Sequence, residues 1–223
     1  MLWAVKNANQ VAQSCSFFFK HVMPSPFVIP SQFYPRKENK LPQVFSVDQV
    51  KQLIAVITNL KHRVMISLLY GTGLRMNELV NLKIADIDSK AFQLKVTGKG
   101  SKDRFTLLPK QLLEDLRKYY LQHKPQTYLF EGQTKGKPMH QRSIQHFVQR
   151  YVGMIGLGGK DYSAHTLRHS FATHLLDAGT DIHTIKELLG HSSISTTMVY
   201  LHLQQSKRAG LISPFDALEN GDQ

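Results

Sequence analysis

The apolar residues of this chain recur mainly at helical spacing, and strand-like patterning is confined to one short region. Two apolar stripes with the spacing of amphipathic helices run through residues 163–202. Strand-like stretches flank a glycine-rich turn in FQLKV-TGKGSKD-RFTLL, which is typical of a β-hairpin. The pattern therefore predicts an α+β fold, mainly α with a small antiparallel β-sheet. The stripes consist of Leu167, Phe171, Leu175 and Leu176, and of Ile182, Ile185, Leu188 and Leu189.

Capping residues and glycines indicate where the predicted helices begin and end. Ser46 and Gln49 have the spacing of a capping box at the start of one helix. A second helix, at about 62–70, is expected to stop at the sequence GTG, where a glycine can adopt a positive φ. A short helix follows through RMNELVNL. Further helices are expected at 110–122 and 140–156, and three more within 165–202.

A proline-rich segment divides the chain into parts. Residues 1–23 have the pattern of a single helix that ends near His21, and its apolar face must dock on the main domain or on another chain. Five prolines in 24–42 predict an extended linker, because proline lacks an N–H and restricts the residue before it. We expect the main domain at 43–206 and a C-terminal tail at 207–223, with a disordered polar end.

The charge of the chain predicts an anionic partner. There are 28 Lys and Arg residues against 16 Asp and Glu, so the formal net charge is +12. Such an excess favours DNA or RNA as the partner. An anionic membrane surface is the alternative, but no long apolar segment supports it.

The cysteine content and the N-terminus favour a cytoplasmic location. Cys15 is the single cysteine, so no internal disulfide can form, which fits a reducing compartment. Its apolar surroundings indicate a packed residue rather than a catalytic thiol. The first ten residues, MLWAVKNANQ, lack the pattern of a secretion signal.

Five short motifs stand in a specific order along the main domain. They are GTGLRMNEL, TGKGSKDR, HTLRH, LGHSS and STTMVY. In this combination the chain resembles the tyrosine recombinase family, also called the phage integrases, over roughly residues 41–203. The ending AGLISPFDAL also resembles the tail of integron-type integrases. The resemblance implies the family's catalytic-domain fold, double-stranded DNA as substrate, and the absence of any metal or other cofactor.

The resemblance also implies a role for each matching residue. The site it implies contains two arginines, a lysine on the hairpin, two histidines and a tyrosine nucleophile nine residues after the second histidine. We expect His165 to be the base, the lysine to protonate the leaving 5′-oxygen, and His191 to bind the phosphate or support the tyrosine. The matching residues are Arg75, Lys99, His165, Arg168, His191 and Tyr200.

These residue types suit transfer at a phosphodiester. Charge develops on the non-bridging oxygens, and planar guanidinium groups can clamp them in pairs, as a lysine cannot. Losing one such donor typically costs ~10²–10³ in rate. A phenol has a pKa near ~10, so it needs proton removal and an electropositive pocket to act as a nucleophile. A covalent phosphotyrosine conserves the bond energy, so rejoining needs no ATP.

Each of these residues also has a simpler interpretation. Arg75 could pair with Glu78 at a helix start, and Glu78 is expected to hold that guanidinium in place. Lys102 competes with Lys99 on the hairpin. Without the other motifs, His165 and Arg168 would be assigned to a solvent-facing side of a helix, and Tyr200 to the core.

The remaining histidines invite a metal-site interpretation. His165, His169 and His174 have partly suitable spacing for zinc, but no cysteine or acidic ligand lies at a suitable distance in the sequence. We expect His169 to orient a neighbour or to fill a polar niche. We assign no role to His174, His183 or His202.

The function predicted from the resemblance is a site-specific DNA recombinase that forms a 3′-phosphotyrosyl intermediate. A type IB topoisomerase and a truncated DNA-binding accessory protein are the alternatives. Residues 1–23 resemble the last helix of the family's N-terminal core-binding (SAM-like) domain, so we expect a fragment or a short variant. Its partners would be DNA and further protomers in a tetramer on DNA, with the tail docking in trans. The resemblance implies a bacterial or phage-type protein at the nucleoid, belonging to a mobile genetic element.

Overall fold

A computed structural model describes residues 2–23, 29–30, 42–98, 103–158 and 162–203. The chain divides into two compact units, Met1–Lys40 and Leu41–Gln223. The predicted tail at 207–223 lies outside the described residues, as does most of the predicted linker. Among the described residues, no helix is long and apolar enough to cross a bilayer.

The first unit contains one described helix, α1 (Leu2–His21). It ends at the residue that the sequence predicted. Exposed apolar side chains include Val11, Phe17 and Val22, and the free Cys15 is partly buried.

The second unit contains eight further α-helices and one sheet within its described residues. The helices are α2 (Val47–Ala55), α3 (Leu60–Thr72), α4 (Met76–Asn81), α5 (Lys110–His123), α6 (Gln141–Met154), α7 (Ala164–Asp177), α8 (Ile182–Leu189) and α9 (Ile194–Leu203). The strands are β1 (Ile87–Asp88), β2 (Gln93–Thr97) and β3 (Asp103–Leu107), and a 3₁₀ turn at Ile84–Asp86 precedes them. This composition confirms the predicted fold class.

The sheet is antiparallel throughout, in the order β1-β2-β3. The register of β2 and β3 runs from the pair Gln93 and Leu107 to the pair Thr97 and Asp103. The side chain of Thr106, on the buried face of β3, donates to the carbonyl of Thr72 at 2.8 Å. The sheet is thereby tied to the C-terminal end of α3.

Helix α3 supplies a large part of the main core. It buries a nearly continuous run of apolar side chains, and each such burial contributes roughly 1.5–3 kcal/mol. These residues are Val64, Met65, Ile66, Leu68 and Leu69. A second, smaller cluster joins the last three helices and consists of Phe171, Ala172, Ile185, Leu189 and Tyr200.

The structure refines two boundaries that the sequence left approximate. The predicted capping box is present, with Ser46 and Gln49 bonding reciprocally at the start of α2. Helix α3 begins earlier than predicted because the side chain of Asn59 accepts from the N–H of His62 and caps it. The sequence did not predict β1, because two residues are too few to show alternation.

The turn after α3 requires a glycine for two reasons. Gly73 has φ +63°, which is the left-handed region, and it ends the helix. A methyl group added there would lie 2.5 Å from Phe171 Cδ1, well inside van der Waals contact. The close approach brings α3 against α7.

We predict that Gly73→Ala destabilises the protein by about 2–4 kcal/mol, because backbone strain adds to the clash with Phe171. Gly136→Ala is the matched control. Gly136 also has a positive φ, but nothing lies within 4 Å of an added methyl group. Gly136→Ala should lower the free energy of unfolding by about 1–2 kcal/mol. Urea unfolding measures both, and equal losses would contradict the role given to the Phe171 contact.

Candidate active site

The carboxylate of Glu78 is the centre of the candidate site. It lies in the first turn of α4, and only 8% of the residue is exposed. Arg104 of β3 donates from Nη1 to Oε1 and from Nη2 to Oε2, both at 2.8 Å. Arg75, which precedes α4, donates from Nη1 to Oε1 at 2.8 Å and from its backbone N–H to Oε2 at 2.7 Å. Both carboxylate oxygens are therefore occupied by charged donors.

These partners keep Glu78 ionised. Burial on its own raises the pKa of a carboxyl group. Here the hydrogen bonds from Arg104 and from the Arg75 backbone outweigh it, so the pKa falls from 4.5 to about 2. The prediction that Glu78 holds the Arg75 guanidinium agrees with this geometry.

Arg168 lies beside this pair, on α7. Only 4% of the residue is exposed, which overturns the interpretation of a solvent-facing arginine. It donates from Nη1 to the carbonyl of Gly73 and from Nη2 to the carbonyl of Leu189, the latter at 2.7 Å. Its Nη1 is also 3.9 Å from Glu78 Oε2. Burial, with repulsion from Arg75, lowers its pKa to about 10, so it is still charged at neutral pH.

The three arginines converge on the C-terminal end of α8. Arg104 Nε donates to the carbonyl of Leu188 at 2.8 Å, and Arg75 Nη2 donates to the carbonyl of Gly190 at 3.2 Å. Cations are favoured at this end of a helix because its last carbonyls are unpaired and carry partial negative charge. Three guanidinium groups against one carboxylate leave positive charge in excess. The pocket therefore favours an anion such as a phosphate.

His191 follows this helix end directly. Its Nδ1 is 2.9 Å from the hydroxyl oxygen of Thr197, on α9. Burial lowers its pKa to about 4, with a further contribution from the charge of Arg168, so the ring is neutral at pH 7. Its ring is nearly parallel to that of Tyr200, at an angle of 11° and a centroid distance of 6.5 Å.

Tyr200 lies on α9, and 1% of it is exposed. Its hydroxyl is 3.0 Å from Nδ1 of His169, on α7. Burial raises the pKa of the phenol, while the charges of Arg168 and Arg75 act in the opposite direction. The tyrosine is thus both a core aromatic, as its simpler interpretation had it, and a neighbour of two guanidinium groups.

Two of the predicted residues remain, His165 and Lys99. His165 is exposed on α7, and the side chain bonded to the Tyr200 hydroxyl is His169 rather than His165. Lys99 and its competitor Lys102 lie outside the described residues. The strands that lead to them are joined by Thr97, which donates to Asp103 Oδ1 at 2.8 Å, and by the pair of Lys95 and Asp103 at 2.9 Å.

Two of the three histidines of α7, His169 and His174, pair with tyrosines. His174 Nδ1 is 3.0 Å from the hydroxyl of Tyr70, just as His169 pairs with Tyr200. Within the part of the chain that the structure describes, no three side chains of His, Cys, Asp or Glu are grouped as a metal ion would need.

Comparison with known proteins identifies the family. The sequence profile of the phage integrase family matches residues 43–207. The chain belongs to this family. A putative integrase/recombinase of Sinorhizobium fredii, y4qK, is 38% identical to this chain over 215 residues. The match covers 95% of this chain and 70% of the relative. The tyrosine recombinase XerA of Pyrococcus horikoshii is 39% identical over 170 residues, which cover 74% of the chain.

A solved structure of a recombinase has a similar fold. The crystal structure of the XerH site-specific recombinase bound to a palindromic difH substrate, a post-cleavage complex, matches with a TM-score of 0.69 at 29% identity. The match covers 76% of this chain. This chain covers 59% of the length of XerA and 52% of the length of the XerH chain. These matches confirm the predicted family, fold and enzyme class.

Two residues of the site, Arg104 and His169, were not assigned their contacts from the sequence. Arg104 was not singled out, although it lies on the same inward face of β3 as Thr106. A charged residue at an inward position needs a partner. His169 was expected to orient a neighbour or to fill a polar niche. Periodicity places it on α7 but does not show that α9 lies opposite.

We predict that Glu78→Gln destabilises this integrase by about 3 kcal/mol at pH 7. The pKa lies about 2.5 below its ordinary value, and each pH unit corresponds to ~1.36 kcal/mol. Because the folded-state pKa is depressed, this contribution is complete above about pH 4.5 and is lost as the pH falls toward 2.

Urea unfolding of both proteins across this pH range is the measurement. Asp48→Asn is the control, since Asp48 pairs at 3.5 Å with Lys51 and both side chains are largely exposed. It should cost less than about 1 kcal/mol. A difference between wild type and Glu78→Gln that does not change with pH would show that the loss does not come from ionisation.

Proposed function

We propose that the protein is a site-specific DNA recombinase that cleaves and rejoins DNA through a 3′-phosphotyrosyl bond at Tyr200. The observation that carries the proposal is the position of that phenol close to the charges of Arg75 and Arg168. The relatives and the structural neighbour named above are recombinases, which favours this function over a type IB topoisomerase or an inactive accessory protein.

The two arginines are proposed to bind the non-bridging oxygens of the target phosphate. Arg75 has 37% of its side chain exposed, so a phosphate can approach it from solvent. Arg168 gives two of its five N–H groups to backbone carbonyls, which orients the guanidinium and leaves others for a ligand. Donors already fixed in place stabilise developing charge without reorganisation during the reaction.

The reaction exchanges one phosphodiester for another. The Tyr200 oxygen forms a bond to phosphorus as the bond to the 5′-oxygen breaks, and the phenol loses its proton. Lys99 is proposed to protonate the leaving 5′-oxygen, and the exposed His165 to accept the phenol proton as the base. Rejoining reverses the exchange when a 5′-hydroxyl attacks the phosphotyrosine. Since no bond energy is lost, the proposed mechanism uses neither ATP nor a metal ion or other cofactor.

Binding of DNA is proposed to depend on charge. The excess of Lys and Arg gives the chain a formal net charge of +12. Each phosphate contact releases counterions, so the plot of log K against log salt should have a slope of about −0.9 per contact. With DNA as substrate, we propose a cytoplasmic location at the nucleoid.

The remaining proposals concern parts of the molecule beyond the catalytic site. We propose that α1 corresponds to the last helix of a core-binding domain, because its exposed Val11 and Phe17 need a packing partner. Strand exchange joins two duplexes, so a tetramer of protomers on DNA is the proposed assembly, with the tail docked on a neighbour. The integron-like character of the tail stays a prediction.

We predict that the wild-type chain forms a covalent protein–DNA adduct in excess EDTA and that Tyr200→Phe forms none. The substrate is a pool of nicked duplexes with a randomised central segment, in which the nick lets the short cleaved strand diffuse away and traps the adduct. Sequencing the attached DNA then gives the target site. Filter binding should show nearly unchanged DNA affinity for the variant, since one oxygen atom is removed.

Several results would count against this proposal. An adduct formed by Tyr200→Phe would show that the nucleophile is another residue. Adduct formation that EDTA abolishes and magnesium or zinc restores would contradict the metal-free mechanism. Binding without any adduct would indicate an accessory protein. Relaxation of a supercoiled plasmid that lacks the selected site would favour a topoisomerase.

A further inference from the structure

The hydroxyl of Tyr200 has one described hydrogen-bond partner, and it is not a residue that the family pattern assigns. His169 Nδ1 lies 3.0 Å from the Tyr200 oxygen. His169 is next to Arg168 in the sequence, so both project from the same turn of α7. The bond therefore connects the phenol to the helix that carries one of the two proposed phosphate ligands.

The ring of Tyr200 is fixed by packing, but packing alone does not orient its hydroxyl. Apolar side chains from α7 and α8, including Phe171, Ile185 and Leu189, share its cluster. The parallel ring of His191 bonds to Thr197 through Nδ1. The polar contact with His169 is thus the one described interaction that sets the direction of the O–H bond.

The charge states favour a hydrogen bond in which the phenol is the donor. Burial, together with the neighbouring His165 and Arg168, lowers the pKa of His169 to about 4, so its ring is neutral at pH 7. Burial raises the pKa of Tyr200, so the phenol keeps its proton. Full proton transfer between two groups with pKa values so far apart is strongly unfavourable, which argues against His169 as the base.

We propose that His169 is a positioning residue: its Nδ1 accepts a hydrogen bond from Tyr200 and holds the nucleophilic oxygen beside Arg168 before DNA binds. This inference rests on the proposed function for its effect on rate. The contact itself is a property of the DNA-free protein and can be measured without any substrate.

Two substitutions separate positioning from proton transfer. In His169→Asn, Oδ1 occupies nearly the place of Nδ1 and accepts a hydrogen bond, but it cannot take the proton. His169→Leu fills the space without a polar atom. The rate of adduct formation on the selected nicked duplex should stay within about fivefold of wild type for the asparagine variant. It should fall by about 10- to 100-fold for the leucine variant, because a misplaced nucleophile reacts slowly.

His174→Leu is the matched control. His174 lies on the same helix and also pairs with a tyrosine hydroxyl at 3.0 Å, but that tyrosine is Tyr70. This variant should cleave at the wild-type rate. Equal losses in the two leucine variants would attribute the effect to the stability of α7 and would overturn the proposal.

Two other results would also overturn it. If the asparagine variant is as slow as the leucine variant, His169 accepts the proton rather than positioning the oxygen. If the leucine variant is faster than wild type, the hydrogen bond restrains Tyr200 instead of preparing it.

If the wild type forms no adduct, the proposed function fails. A spectroscopic measurement then tests the hydrogen bond between His169 and Tyr200 by itself. In ¹⁵N spectra of the DNA-free protein, His169 should carry its proton on Nε2, and its Nδ1 resonance should shift in Tyr200→Phe. A proton found on Nδ1, or a resonance that does not respond to the loss of the hydroxyl, would show that His169 does not accept this hydrogen bond.

Discussion

The buried carboxylate of Glu78 is the interaction on which the candidate site depends. Three guanidinium groups lie together next to it, and without a counter-charge their mutual repulsion would separate them. Glu78 bonds directly to Arg75 and Arg104 and lies 3.9 Å from Arg168. These arginines belong to three different parts of the fold, so one carboxylate joins the hairpin, α4 and α7. A buried pair of this kind is stable only when both oxygens are fully bonded, as they are here.

The ends of two helices complete the site. Arg168 donates to Gly73 at the end of α3 and to Leu189 at the end of α8, so its position depends on both turns. At the second turn, Gly190 has φ +63°, and an added methyl group would lie 2.7 Å from Arg104 Cδ. The close packing of Arg104 over this glycine sets the direction in which the chain continues to His191. The proposed phosphate-binding groups and the proposed nucleophile are therefore fixed by the same packing that builds the fold.

The sequence predicted most of the fold because several helices, such as α2, α5 and α6, bury one face, and because the ends of the helices carry local signals. The capping box at Ser46, the glycine stop after α3 and the single hairpin are local patterns, and the structure has them all. Strand β1 is too short to show a pattern. The order of motifs identified the family, which none of the motifs could have done alone.

The candidate site was harder to predict because its contacts join distant parts of the chain. Arg168 meets a carbonyl 95 residues away, and Arg75 meets one 115 residues away. Periodicity shows which face of a helix is buried, but not which side chain lies opposite. For this reason Arg104 was missed and His169 was left without a specific partner. The resemblance assigned residues from the family pattern, whereas the structure shows what holds Arg75, Arg168 and Tyr200 in place.

The central claim is that the phenol held in this pocket attacks the DNA. Identifying the amino acid attached to DNA tests it most directly. After tryptic digestion of the trapped adduct, mass spectrometry should find the nucleotide on the peptide ELLGHSSISTTMVYLHLQQSK, which contains a single tyrosine, Tyr200. Fragmentation should place the added mass on that residue. A nucleotide on a serine or threonine of this peptide, or on any other peptide, would contradict the account.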